Sequence, residues 1–161
     1  MNDLKFAIKT EIDGEAFYRR QAEINKNNSL HPVCLLLAED EKNHGILLAV
    51  KLGDLSAFLA DTSTLDKAKN IFEGAKDIAV DTRETPNQLD FYRLASNMEL
   101  ESIAMYTKYL THASDQKEKI VFEFLIRQEK IHYSILDTLA TLLSRTEEWV
   151  ECAEFGEREE Y

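Results

Sequence analysis

Apolar residues recur at intervals of three and four along four stretches of the chain, the spacing that gathers them into one stripe on an α-helix. Residues 3–26 align Leu4, Ile8, Tyr18 and Ala22, and residues 31–51 align Cys34, Leu37 and Leu48. Residues 87–113 align Tyr92, Ala95, Tyr106 and Tyr109, and residues 115–143 align Phe122, Leu125, Leu136 and Leu139. The breaks between them carry the expected punctuation. Asn25 to Asn28 ends the first helix, Pro32 suits the first turn of the second, and Gly53 suits its C-cap. The third helix opens after Thr85-Pro86. The fourth is capped by Ser114 or Asp115, with Glu118 at capping-box spacing. Residues 54–85 form a long link, with a short helix at Leu55, Phe58 and Leu59 and another from Leu65 to Val80, capped by Ser63 or Thr64. A link of that length lets the second and third helices run parallel, as a bundle with one long crossover requires. Residues 145–161 read as a C-terminal extension, with Trp149, Val150 and Phe155 as docking points and a mobile charged end. The pattern predicts an all-α single domain over residues 1–161, a four-helix bundle.

Each stripe is interrupted by charge. Glu11 breaks the first, Glu41 and His44 the second, Glu99 the third, and Glu129 and His132 the fourth. In both halves a lone Glu precedes a Glu-x-x-His by 30 residues, and every member of the second set follows its counterpart by 88 positions. Tyr18 and Tyr106 keep that offset, each seven residues beyond its lone Glu. A single Glu-x-x-His is weak, because Glu and His three apart often pair on a helix surface. The doubled pattern is specific. One Glu from each of two helices and a Glu-x-x-His from each of two others form the ligand set of a di-iron or di-manganese bundle of ferritin-like topology.

The chemistry requires those residue types. Two divalent cations a few ångströms apart repel each other, and bridging carboxylates offset the repulsion. Hard oxygen ligands with some imidazole suit iron, with manganese as the alternative. Four carboxylates and two divalent ions leave the filled site neutral. An unfilled site strands carboxylates in a low-dielectric core and raises some of their pKa values. Glu41 and Glu129 are assigned as bridges and Glu11 and Glu99 as terminal ligands. His44 and His132 take one metal each, their second ring nitrogens held by other groups. Tyr18 and Tyr106 lie where a phenol can bond a ligand carboxylate across the bundle or supply a proton or electron. A plain role as amphipathic core residues stays equally open.

Composition narrows the setting. Gly is 5 and Pro is 2, too few for the many tight turns of a sheet protein. The net charge of -11 argues against nucleic acid and against an anionic membrane as partners. No stretch approaches the ~20 apolar residues of a membrane span, and the N-terminus carries early charge, so a cytoplasmic protein is expected. Cys34 and Cys152 stand apart and in no C-x-x-C, which excludes a four-cysteine metal centre formed by these residues. Cys34 reads as a core thiol rather than a redox group. Glu15 shares the stripe of Glu11, but 88 positions later stands Ile103, so a surface role is favoured over a further ligand. Glu39, Asp40, Lys42 and Glu101 read as solvated, and His31 and His112 as surface residues near helix ends.

The segments AIKTEIDGEAFY (7–18), AEDEKNH (38–44), ASNMELESIAMY (95–106) and FLIRQEKIH (124–132) together resemble the rubrerythrins of the ferritin-like superfamily. The resemblance spans all four long helices. It implies Glu11, Glu41, His44, Glu99, Glu129 and His132 as ligands of a di-iron centre that reduces hydrogen peroxide, with ferroxidase activity also described for the class. It implies a homodimer as one assembly, on which the residues themselves are silent. Two departures stand out. Rubrerythrins often carry a second carboxylate three residues after the third-helix Glu, linked to a ligand switch on redox cycling, and here that position is Ser102. Full-length rubrerythrins add a rubredoxin-type module with paired C-x-x-C motifs, which this sequence lacks. Electrons would then come from an external donor, rubredoxin-like or a flavin reductase. Three functions follow in order: a di-iron oxidoreductase acting on peroxide, a ferroxidase or iron-handling protein, and a metal-stabilised structural bundle without redox turnover.

Overall fold

In a computed structural model the chain is described over residues 2–50, 64, 66–68, 70 and 88–155, with residues 2, 3, 143 and 145–155 described by backbone alone. Four long helices carry it: α1 (Asn2–Ile24), α2 (Leu30–Ala49), α3 (Gln88–His112) and α4 (Gln116–Phe155). Thr64, Asp66 to Ala68 and Asn70 of the crossover are also helical. The architecture is the all-α, ferritin-like bundle expected from the stripes. Gly53, Ser63 and the rest of the expected crossover helices lie outside the described residues, as do the side chains of Trp149, Val150 and Phe155.

The α1–α2 turn is built from asparagines rather than from Gly or Pro. Asn25, fully buried, donates to the carbonyl of Gln21 at 2.9 Å. Asn28 donates to Asn25 Oδ1 at 2.9 Å and accepts from the Leu30 amide at 3.0 Å, so the polar turn satisfies itself. His31 is half-buried instead of free on the surface, and its Nδ1 donates to the carbonyl of Ala22 at 2.8 Å, tying the start of α2 to the end of α1. Asp115 caps α4 through its bond from the Lys117 amide at 3.2 Å.

The fourth helix differs from expectation. It continues past residue 143 to Phe155, where an extension was expected. The physical reason lies in the chain: no Gly or Pro occurs between Gln116 and Phe155, and the next residue, Gly156, is the first that favours a stop.

Two apolar clusters define the core. One joins Tyr18, Leu30, Val33, Leu37, Tyr92, Ala95, Ile135, Leu136 and Leu139. The other joins Ala7, Leu47, Leu48, Tyr106, Val121, Phe124 and Leu125. Their membership fixes the helix directions. α2 and α3 both begin in the first cluster and finish in the second, so they are parallel, while α1 and α4 run the opposite way. Between the clusters, every helix contributes its polar residues. Glu11 lies between Ala7 and Tyr18, Glu41 and His44 between Leu37 and Leu47, Glu99 between Ala95 and Tyr106, and Glu129 and His132 between Leu125 and Ile135. The site is a polar layer closed by an apolar plug at each end.

Candidate metal centre

All six charged residues of the repeated pattern are buried, none more than 5 % exposed. Burying four carboxylates together is costly unless something positive joins them. Their geometry points to a convergent arrangement. His44 Nδ1 is 3.2 Å from Glu11 Oε2 and 3.1 Å from Glu129 Oε1, yet forms a hydrogen bond with neither. His132 Nδ1 is 3.0 Å from Glu41 Oε1, 3.7 Å from Glu129 Oε2 and 3.9 Å from Glu99 Oε2, again without hydrogen-bond geometry. Atoms this close that do not point at one another share a common focus, which is how ligands of one ion are disposed.

Among the described residues there are two such foci. Glu11, Glu41, His44 and Glu129 each offer a ligand atom within 4.8 Å of the others, and so do Glu41, Glu99, Glu129 and His132. Glu41 and Glu129 belong to both groups, and the two oxygens of Glu129 face different imidazoles. The imidazole rings lie nearly parallel, 5.5 Å apart at 22°. The residues therefore fit a pair of divalent ions, with oxygen and imidazole donors of the kind that hold iron or manganese.

The tyrosines complete the symmetry. Tyr18 donates to Glu99 Oε1, and Tyr106 donates to Glu11 Oε1. Each phenol holds the lone Glu of the opposite half and leaves that carboxylate's second oxygen for the centre. Burial and the surrounding carboxylates push both phenols well above their ordinary pKa, so both stay protonated donors.

The carboxyls respond differently to the same burial. Burial and repulsion from Glu129, Glu11 and Glu99 raise Glu41 well above the usual range. Burial and repulsion from Glu11 and Glu99 raise Glu129 likewise. Burial also opposes ionisation of Glu11, but His44 together with hydrogen bonds from Glu41 and Tyr106 outweighs that and holds it low. Burial disfavours charge on His132 too, yet Asp40 and the nearby carboxylates raise it to about 9.

Asp40 corrects the sequence reading, which had it solvated. It is buried, and its Oδ2 lies 3.4 Å from His132 Nε2. Burial raises its pKa, but His132 and a hydrogen bond from Thr64 outweigh that and hold it low. Asp40 adjoins Glu41, about 100° round the helix, so only the crossing of α2 and α4 decides whether it faces inward. Gly14 was also missed. A Cβ there would stand 3.1 Å from Glu41 Oε2, so the missing side chain makes room for that carboxylate.

Other candidates fall away from the centre. Glu15 pairs with Arg19 at 2.8 Å and is partly exposed. Glu39 pairs with Lys42 at 2.9 Å on the surface. Cys34 is buried in the core and pushed up to about 12 by burial, an inert thiol. His112 is exposed and bonds the Lys108 carbonyl at 2.8 Å. Ser102 lines a cleft of about 180 Å³ with Thr10, Gly14 and Met105, and Glu41 and Glu99 are reached from it.

Among the described residues no helix is long and apolar enough to cross a membrane. No match to the chain was found among curated proteins or among solved structures. The rubrerythrin family profile, in contrast, matches residues 2–140, a span that takes in the whole of the polar layer. With its buried carboxylate and histidine cluster in a ferritin-like bundle, the chain belongs to the rubrerythrin family.

Proposed function

We propose that the protein is a non-haem di-iron oxidoreductase that reduces hydrogen peroxide with electrons from an external donor. The observation that carries this reading is the pair of ligand foci sharing Glu41 and Glu129. Glu11 and His44 would hold one ion, Glu99 and His132 the other, with manganese as the alternative metal. When bound, the ferrous pair supplies one electron per ion, enough with two protons to cleave the O–O bond of peroxide and yield two waters.

The chain's own residues prepare that chemistry. Tyr18 and Tyr106 hold the terminal carboxylates and keep them from rotating away. Glu41 and Glu129, raised by burial and by repulsion from the neighbouring carboxylates, hold protons in the absence of metal and release them as ions bind. The cleft between α1 and α3 is wide enough for a small oxidant, and its floor includes Glu41 and Glu99. A cytoplasmic setting with a rubredoxin-like protein or flavin reductase as donor fits this reading, as does assembly into a homodimer.

A second reading, ferroxidase or iron handling, is favoured by Ser102, because no third-helix carboxylate is present there to move between ligand positions. One experiment separates the two. Ferrous iron is bound anaerobically, and the same sample is mixed in stopped flow with peroxide or with oxygen. Faster oxidation by peroxide with ferric iron retained is the expected result. Faster oxidation by oxygen, with ferric iron leaving on repeated additions, contradicts the peroxidase reading and supports the second.

A further inference from the structure

The internal repeat relates the two imidazoles, but their outer nitrogens differ. His132 Nε2 faces the buried carboxylate of Asp40 at 3.4 Å, and Asp40 in turn is held by Thr64 of the crossover. His44 Nε2 has no hydrogen-bond partner among the described residues. The position 88 residues after Asp40 is Gln128, also buried but uncharged. A carboxylate on the outer N–H of a ligating imidazole fixes its tautomer and strengthens it as a donor. It also adds negative charge in direct contact with His132, while His44 feels that charge only at longer range.

We propose that the two halves of the centre are inequivalent, the half built on His132 and Glu99 filling first and holding its ion more tightly, with Asp40 as the positioning residue responsible. The inference rests on the di-metal reading above. It also gives the crossover a role: through Thr64 and Asp40, that segment reaches the surroundings of His132.

The test is a manganese(II) titration of the metal-free full chain, followed by calorimetry and by electron paramagnetic resonance. Two ions per chain are expected, in steps at least about tenfold apart, since such outer partners typically alter affinity by 10- to 100-fold. The resonance signal is that of an isolated ion up to one equivalent and of a spin-coupled pair beyond it. Asp40→Asn keeps the shape and the acceptor oxygen but removes the charge. It lowers the first step by roughly 10- to 100-fold and leaves the second nearly unchanged. His44→Ala retains one tight ion and His132→Ala loses it, which decides the matter even if Asp40→Asn folds poorly by circular dichroism. Two indistinguishable steps in the native chain, or equal weakening of both by Asp40→Asn, overturn the inference while leaving a di-metal centre. A native total of one ion overturns the di-metal reading itself.

Discussion

Glu129 turns one carboxylate oxygen toward His44 and the other toward His132, and that division is the site in miniature. Its raised pKa makes it a burden to the metal-free protein. A group whose folded pKa exceeds its unfolded value stabilises only below the unfolded value and loses that contribution as pH rises through the folded one. Glu129→Gln removes the burden and the bridge together. Its metal-free form melts at a higher temperature than the native metal-free form near neutral pH, and it binds at most one ion per chain, as calorimetry and metal analysis would show. Tyr106→Phe acts in the other direction. It strips Glu11 Oε1 of its donor, and hydrogen bonds to charged groups contribute about 1.5–3 kcal/mol, so metal affinity falls roughly 10- to 100-fold. At this scale the sequence spoke clearly for Glu11, Glu99 and the two Glu-x-x-His pairs, because fixed spacing on a helix fixes a face. It misplaced Asp40 as solvated, because the inward turn of that side chain depends on a neighbouring helix, and it was silent on Gly14, which acts by lacking a side chain.

Each helix is pinned by apolar residues on both sides of its contribution to the polar layer, so those side chains are held by packing on either flank. Leu136 is fully buried in the cluster one turn beyond His132. Leu136→Ala destabilises the fold by about 2–5 kcal/mol in chemical denaturation, the usual range for a buried leucine truncated to alanine. The approach of α1 to α2 at Gly14 sets a second constraint. Gly14→Val forces the Glu41 carboxylate away from its shared position, so the variant keeps its helical circular dichroism but binds fewer than two ions. The four long helices were legible from apolar periodicity and low Gly and Pro content. The true length of α4 was not, because the apolar stripe breaks off into the polar run 144–148 after Leu143 while the backbone, meeting no breaker before Gly156, continues its hydrogen bonding.

Over the whole molecule, the proposed centre sets metal and protons in competition for one buried layer. His132 is raised from 6.5 to about 9, so its stabilisation is complete below the lower value and is lost as pH climbs through the upper one. Ionisation of Glu41 and Glu129 acts in the same sense. The melting temperature of the metal-free protein therefore falls between pH 6.5 and about 9, whereas the metal-filled protein, whose ligands are already deprotonated, stays nearly level. Calorimetry in buffers of different ionisation enthalpy detects protons released on binding, and no release would contradict the assignment of Glu41 and Glu129. The central claim is that two ions share those two carboxylates. It is tested most directly by an anomalous difference map from a crystal of the iron- or manganese-loaded protein. Two peaks in the polar layer, both in contact with Glu41 and Glu129, with His44 on one and His132 on the other, are the predicted result. A single peak, or peaks outside that layer, would contradict it.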